Sequence, residues 1–246
     1  MIKVLKNKKQ IEESRQMLEK LGADSSKGFS RKMYQALYLL RFRKKAEKVA
    51  INKSWDVLNI LQMIEKYKPN KDARIYDMGS YNCEIPLALW WRGYRNIMAA
   101  DFNPIGRAIN WYGNKIQFRQ ENFYNSNLPS DSLDIITALS VIEHGFEQVE
   151  FFKVCNGLLK PGGLVLITTD FHSEKIWIDP DFKIFNLSYL VFSNEEINNL
   201  VIEAEKNGFE LISKEKESNW DMTENPIEFL DMKMSFILLG FKKNEN

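Results

Sequence analysis

The chain contains only two histidines, His144 and His172, and two carboxylates, Asp77 and Asp101, each end an apolar run. An imidazole with a pKa of about 6.5 accepts a proton at neutral pH. His144 closes the run Ser140-Val141-Ile142-Glu143-His144, which leaves the apolar stretch 133–139. His172 follows the apolar stretch 164–168 in the same way. Both histidines therefore fall at expected strand exits, where a base for a hydroxyl acceptor can stand. His144 is the first candidate base and His172 the second. Glu143 is a candidate to orient His144 or to bond a ligand. The alternatives are that His144 holds its own loop by hydrogen bonding and that His172 is a surface polar residue.

Asp77 and Asp101 are 24 residues apart, and the chain between them reads as turn, helix and strand. That places a carboxylate at each of two strand tips, on the carboxyl edge of a parallel sheet. At this spacing the second acid can accept hydrogen bonds from both hydroxyls of an adenosine ribose. A dinucleotide would also need its pyrophosphate cradled by G-x-G-x-x-G. The turn Asp77-Met78-Gly79-Ser80-Tyr81-Asn82-Cys83-Glu84 has Gly79 alone. A nucleoside cofactor without phosphates suits it better, and S-adenosylmethionine (SAM) is the cofactor expected. Asp77, Gly79, Ser80, Asp101, Phe102 and Asn103 are its candidate contacts, with Ser140 beside the methyl group. Phe102 either lies against the adenine face or belongs to the core.

Five pieces in order carry a family resemblance. They are Asp77-x-Gly79, Asp101, Leu128-Pro129-x-Asp131-x-Leu133-Asp134-Ile135-Ile136, Val141-Ile142-Glu143-His144 and Leu158-Leu159-Lys160-Pro161-Gly162-Gly163. Together they resemble the class I SAM-dependent methyltransferases, closely over 73–170 and loosely over 190–241. The last two pieces resemble the small-molecule and sugar branch. The glycine-poor turn departs from the usual pattern and is similar to that of some relatives encoded with bacterial surface-glycan genes. The resemblance implies a Rossmann-like, doubly wound α/β fold with a seven-stranded sheet whose last strand is antiparallel. It also implies that Asn122, with Phe123 beside it, meets the adenine.

The elements that must position these residues follow from local pattern. Helices are expected at 10–21, at 30–45 with a basic end, at 55–67 capped by Ser54, and at 105–112. Ser193 and Glu196 spell a capping box for a helix over 194–207. The aromatic-rich stretch 173–192 reads as an active-site insertion. Residues 1–68 carry 17 Lys/Arg against 7 Asp/Glu, whereas the whole chain has a net charge of +1. A helical extension over 1–68 and a methyltransferase domain over 69–246 are therefore expected.

No apolar run is long enough to span a membrane or act as a leader, and two cysteines build no disulfide or metal framework. A cytoplasmic enzyme is expected. Asp170, His172, Asp179 and Asp181 match no defined metal motif, and no metal is expected. The function expected is O-methylation of a small polar acceptor, such as a sugar, nucleotide-linked sugar or phosphoryl precursor of a bacterial surface glycan. The basic N-terminal helices suit an anionic, nucleotide-linked acceptor. Alternatives are an RNA methyltransferase and a non-catalytic SAM-binding subunit. Nucleic acid is not favoured as a partner, because no binding module is visible and residues 140–143 lack the N-P-P-Y pattern of base-nitrogen enzymes.

Overall fold

A computed structural model of the chain describes residues 1–24, 50–81, 83–103, 116–145, 147–213 and 224–245. The helices expected at 30–45 and 105–112 lie outside the described residues. The chain runs β1 (Ile2–Val4), α1 (Lys8–Lys20), α2 (Ser54–Tyr67), β2 (Arg74–Met78), α3 (Ile85–Trp91), β3 (Asn96–Asp101), β4 (Gln117–Gln120) and β5 (Leu133–Leu139). It continues with α4 (Gln148–Leu158), β6 (Leu159–Phe171), β7 (Lys183–Ile184), β8 (Leu187–Ser188), α5 (Asn194–Lys206), β9 (Phe209–Leu211), β10 (Ile227–Phe229) and β11 (Met232–Lys243).

The main sheet has the order β1-β11-β6-β5-β2-β3-β4. Its centre is parallel, and β11 lies antiparallel beside β6. Alternate residues of the central strands enter two cores, as strands buried on both faces must. Ile75, Ile97, Ile135 and Leu164 share one core with α1, α2 and α3. Tyr76, Met98, Ile136 and Val165 face the other, with α4 and α5. This is the doubly wound α/β arrangement expected.

The outer edge differs from a plain seven-strand sheet. Strand β9 pairs with β11 only at Phe241, Lys242 and Lys243. The rest of that edge is taken by β1, which pairs with Ile237, Leu238 and Leu239. Two short strands from opposite ends of the chain thus cover one long edge, which would otherwise expose unpaired backbone groups. The expected helical extension accordingly begins with a strand of the sheet. A second difference is the length of β6. It was expected to end at Thr168, but β11 pairs with it as far as Phe171, carrying Thr169 and Asp170 inside the sheet.

The starts of α5 and α2 differ in how they are capped. Ser193 Oγ accepts from the Glu196 amide and the Glu196 carboxylate accepts from the Ser193 amide, so the capping box of α5 is present. Ser54 is not the cap of α2. It lies inside the first turn, with Lys53 at the N-cap position, and its hydroxyl donates to the Ile51 carbonyl.

Candidate functional site

The carboxyl ends of β2, β3 and β5 open into a cavity of about 860 Å³. Asp77 and Ser80 are not among the described residues that line it; Asp77 is fully buried beneath the turn, and its Oδ1 accepts from Thr137 Oγ1 at 2.5 Å. Burial pushes the Asp77 carboxyl up to about 6 against the hydrogen bonds that favour its charge. Gly79 follows with φ +63, and a Cβ there would sit 2.5 Å from Val141 Cγ2. A side chain is excluded both by the left-handed backbone and by the loop after β5. The Ser80 amide donates to the Ala100 carbonyl, fastening the turn to β3.

Asp101 is buried in the cavity wall. The Asn103 amide donates to its Oδ1 at 2.7 Å and the Tyr81 amide to its Oδ2 at 3.0 Å. Burial raises its pKa while these two amides oppose the rise. The carboxylate is thus fixed from both sides, and each oxygen retains a second lone pair for a ligand hydroxyl. Phe102 is 53% exposed and lines the cavity, so it is not a core residue. Asn103, Asn122 and Phe123 line the same region. Asn122 also starts a short 3-10 turn, Phe123–Asn125, by accepting from the Tyr124 amide.

Across the cavity, Ser140 takes φ +54, a strained conformation for serine, immediately after β5. Ser140 Oγ and His144 Nδ1 are buried without a hydrogen-bond partner among the described residues. His144 lines the cavity, with its ring 5.6 Å from Phe185 and 5.5 Å from Tyr189. Burial lowers its pKa, which keeps the imidazole neutral and able to accept a proton at neutral pH.

Glu143 and His172 are placed differently. Glu143 is buried and accepts from Thr169 Oγ1 at 2.9 Å, behind the wall rather than in it. Burial, reinforced by Asp170, pushes it up to about 8. Beside it, Lys53 Nζ lies 3.3 Å from Asp170 Oδ1 and 3.5 Å above the Phe236 ring, and Tyr189 OH donates to Asp170 Oδ2. Burial alone would lower Lys53, but Asp170, Asp56 and Glu143 outweigh it and hold the ammonium above its ordinary value. The His172 ring meets the Glu174 backbone and the Asn225 side chain, and is not among the described residues that line the cavity. The structure therefore brings His144, Ser140 and the Asp101 group together and leaves His172 apart.

Several wall residues carried no individual signal in the sequence. Lys53 and Glu84 line the cavity, as do Phe185 and Leu187 from the β7–β8 hairpin. The hairpin lies within the insertion expected at 173–192, but its tip, Phe185-Asn186, lacks the Asn-Gly signature of a two-residue turn.

Comparison with known proteins agrees with this geometry. Residues 76–167 match a family model described as a methyltransferase domain. A "probable S-adenosylmethionine-dependent methyltransferase" of Mycobacterium tuberculosis is 26% identical over 113 residues, 45% of this chain and 40% of that protein. A similarly described protein of Mycolicibacterium smegmatis is 34% identical over 55 residues, 22% of this chain and 21% of its own length. The matched part thus spans well under half of these relatives. Among solved structures, a SAM-dependent methyltransferase from Mesorhizobium loti has a TM-score of 0.53 at 15% identity, covering 77% of this chain and 97% of that one. The [4+2]-cyclase SpnF has a TM-score of 0.58 at 11% identity, covering 82% and 86%. Residues 76–167 are thus similar to SAM-dependent methyltransferase domains of class I, and the cofactor that these likenesses imply is S-adenosylmethionine. The site fits that cofactor: the Gly79 cradle, the anchored Asp101 carboxylate and the orphaned Ser140 hydroxyl all border one cavity.

Proposed function

We propose that this chain transfers a methyl group from SAM to an oxygen of a small polar acceptor. The observation that carries the reading is one cavity with the fixed Asp101 carboxylate in one wall and a neutral His144 in the other. When bound, SAM supplies an electrophilic methyl group on a good leaving group. Asp101 holds the ribose hydroxyls, and Phe102 and Asn122 border the adenine. His144 takes the proton of the acceptor hydroxyl, and the apolar side chains of Val57, Val141 and Leu187 keep water from competing for the methyl group. Lys53 is the one cationic side chain among the described lining residues. Its ammonium is committed to Asp170, so the support for an acceptor with an anionic group, such as a nucleotide-linked sugar or other phosphoryl precursor of a surface glycan, is the excess of 17 Lys/Arg over 7 Asp/Glu in residues 1–68.

We take residues 1–68 as a cap on the domain 69–246, since Ala50, Lys53 and Val57 contribute to the cavity wall. We place the reaction in the cytoplasm: Cys83 and Cys155 are free and buried, as suits a reducing compartment. No helix among the described residues is long and apolar enough to cross a membrane.

The test is calorimetric titration with S-adenosylhomocysteine (SAH), with NAD as control. SAH alone should bind, and Asp101→Ala should weaken it by about tenfold or more, the cost of lost hydrogen bonds to a charged group. An unchanged affinity in that variant refutes the cofactor placement. A second reading, binding without methyl transfer, draws support from the glycine-poor turn, which has Gly79 alone. It expects SAH binding but no methyl transfer to nucleotide-linked sugars.

A further inference from the structure

Arg15 of α1 makes one of the most heavily bonded side-chain contacts near the cavity, yet it is not itself in the wall. Its guanidinium donates through Nη2 to Glu84 Oε2 at 2.7 Å and through Nη1 to Glu84 Oε1 at 3.1 Å. Nη1 also donates to Asp24 Oδ1 at 2.9 Å, and Nε donates to Ser54 Oγ at 2.9 Å. The Arg15 side chain is 12% exposed, and those of Glu84 and Asp24 are 8% and 3% exposed. Bidentate charge-assisted bonds of this kind fix geometry as well as adding energy.

The partners matter more than the number of bonds. Glu84 lines the cavity and stands at the N-cap of α3, but its side chain does not cap that helix. It turns to Arg15 instead. Upstream of Glu84, the Cys83 amide donates to the Ser80 carbonyl, and the Tyr81 amide donates to Asp101 Oδ2. The position of Glu84 is therefore linked through Cys83, Ser80 and Tyr81 to the carboxylate that anchors the cofactor. The other arm ends at Ser54, which is adjacent to Lys53, and Lys53 and Val57 also line the cavity. One guanidinium thus joins two segments of the cavity lining that are distant in sequence.

We propose that Arg15 is a positioning residue for cofactor binding, holding residues 79–81 and 83–84 of the glycine-poor turn in register with the start of α2. The inference rests on the cofactor reading above. The loop offers Gly79 alone for close backbone approach. It is held instead by a side-chain clamp from outside the matched domain, which begins at residue 76. A lysine cannot replace the clamp, because one ammonium cannot reproduce the planar fork that engages Glu84 while also reaching Asp24 and Ser54.

The test compares Arg15→Met and Arg15→Lys with Arg92→Met in the full chain, measuring SAH affinity by calorimetry and Tm. Arg92 is the matched control: it links the same helices, donating to Glu65 Oε1 at 2.7 Å and to the Leu21 carbonyl at 3.1 Å, but does not line the cavity. All three substitutions are expected to lower Tm. Only the Arg15 variants should weaken SAH, by about tenfold, the cost of a charge-assisted bond. Weakening of about threefold or less in the Arg15 variants, or equal weakening in Arg92→Met, overturns the proposal. If Arg15→Met does not fold, Arg15→Lys and Glu84→Gln decide by the same criterion. Absence of SAH binding in the parent protein would refute the cofactor reading and this inference with it, and is told apart because it appears without any substitution.

Discussion

His144 shows how burial selects a protonation state. Its ring is packed against Phe185 and Tyr189, and burial lowers its pKa. A base must be unprotonated to act, so a lowered pKa extends its working range towards acid. The acid limb of kcat/KM should therefore fall below the free imidazole value of about 6.5. His144→Ala should lower kcat by about a hundredfold or more, as loss of a general base does, while SAH affinity stays close to that of the parent. Turnover that survives this change, read from a methyl-transfer assay over a pH series, removes His144 from the role. Residue types were enough to single out Asp101 and His144, because a carboxylate or imidazole at a strand exit has few structural duties. They were not enough for Lys53 or Glu84. Each reads as an ordinary surface charge, and its place in the wall depends on contacts with Asp170 or Arg15, distant in sequence.

The β7–β8 hairpin shows why some elements escaped the sequence. Its two central residues, Phe185 and Asn186, take φ +57 and +64, the left-handed pair of a type I′ turn. Phenylalanine rarely adopts that conformation, so turn chemistry gave no warning. The β10–β11 hairpin hides in the same way, with Leu230 and Asp231 at φ +48 and +63. Strand β1 is three residues long and exists only through pairing with β11, at the far end of the chain. By contrast, the central strands and the α5 capping box were legible because their patterns are local. In the first hairpin, the backbone cost places a half-exposed ring 5.8 Å from Tyr81 and 5.6 Å from His144, over the cavity. Phe185→Gly relieves the backbone and removes the roof. Its Tm should equal or exceed that of the parent, while the SAH dissociation rate, followed by stopped-flow fluorescence, should rise. A slower or unchanged dissociation rate would show that the ring does not close the cavity.

At the scale of the whole molecule, a buried charge cluster joins segments that are far apart in sequence. Lys53 and Asp56 come from the start of α2, Glu143 from the loop after β5, Asp170 from β6 and Tyr189 from the insertion. Three carboxyl groups share one ammonium. Burial pushes Glu143 from 4.5 to about 8 and Asp56 from 3.8 to about 7. Each folded-state pKa lies above its unfolded value, so the folded protein binds more protons between the two. Stability must then fall as pH rises through that interval. For Glu143 the interval runs from about 4.5 to about 8, and above it the full cost of a buried carboxylate remains. Asp170 reinforces this rise, whereas Lys53 and the hydrogen bond from Thr169 oppose it without cancelling it. Glu143→Gln keeps the shape and the hydrogen bond from Thr169 but cannot ionise. Its Tm should decline less than that of the parent between pH 6 and pH 9, and at the alkaline end it should be the more stable protein. A decline parallel to that of the parent would mean that the Glu143 carboxylate is already charged in the folded state and stabilised by Lys53. The cluster would then bind the N-terminal segment to the sheet as an ion pair rather than through a retained proton.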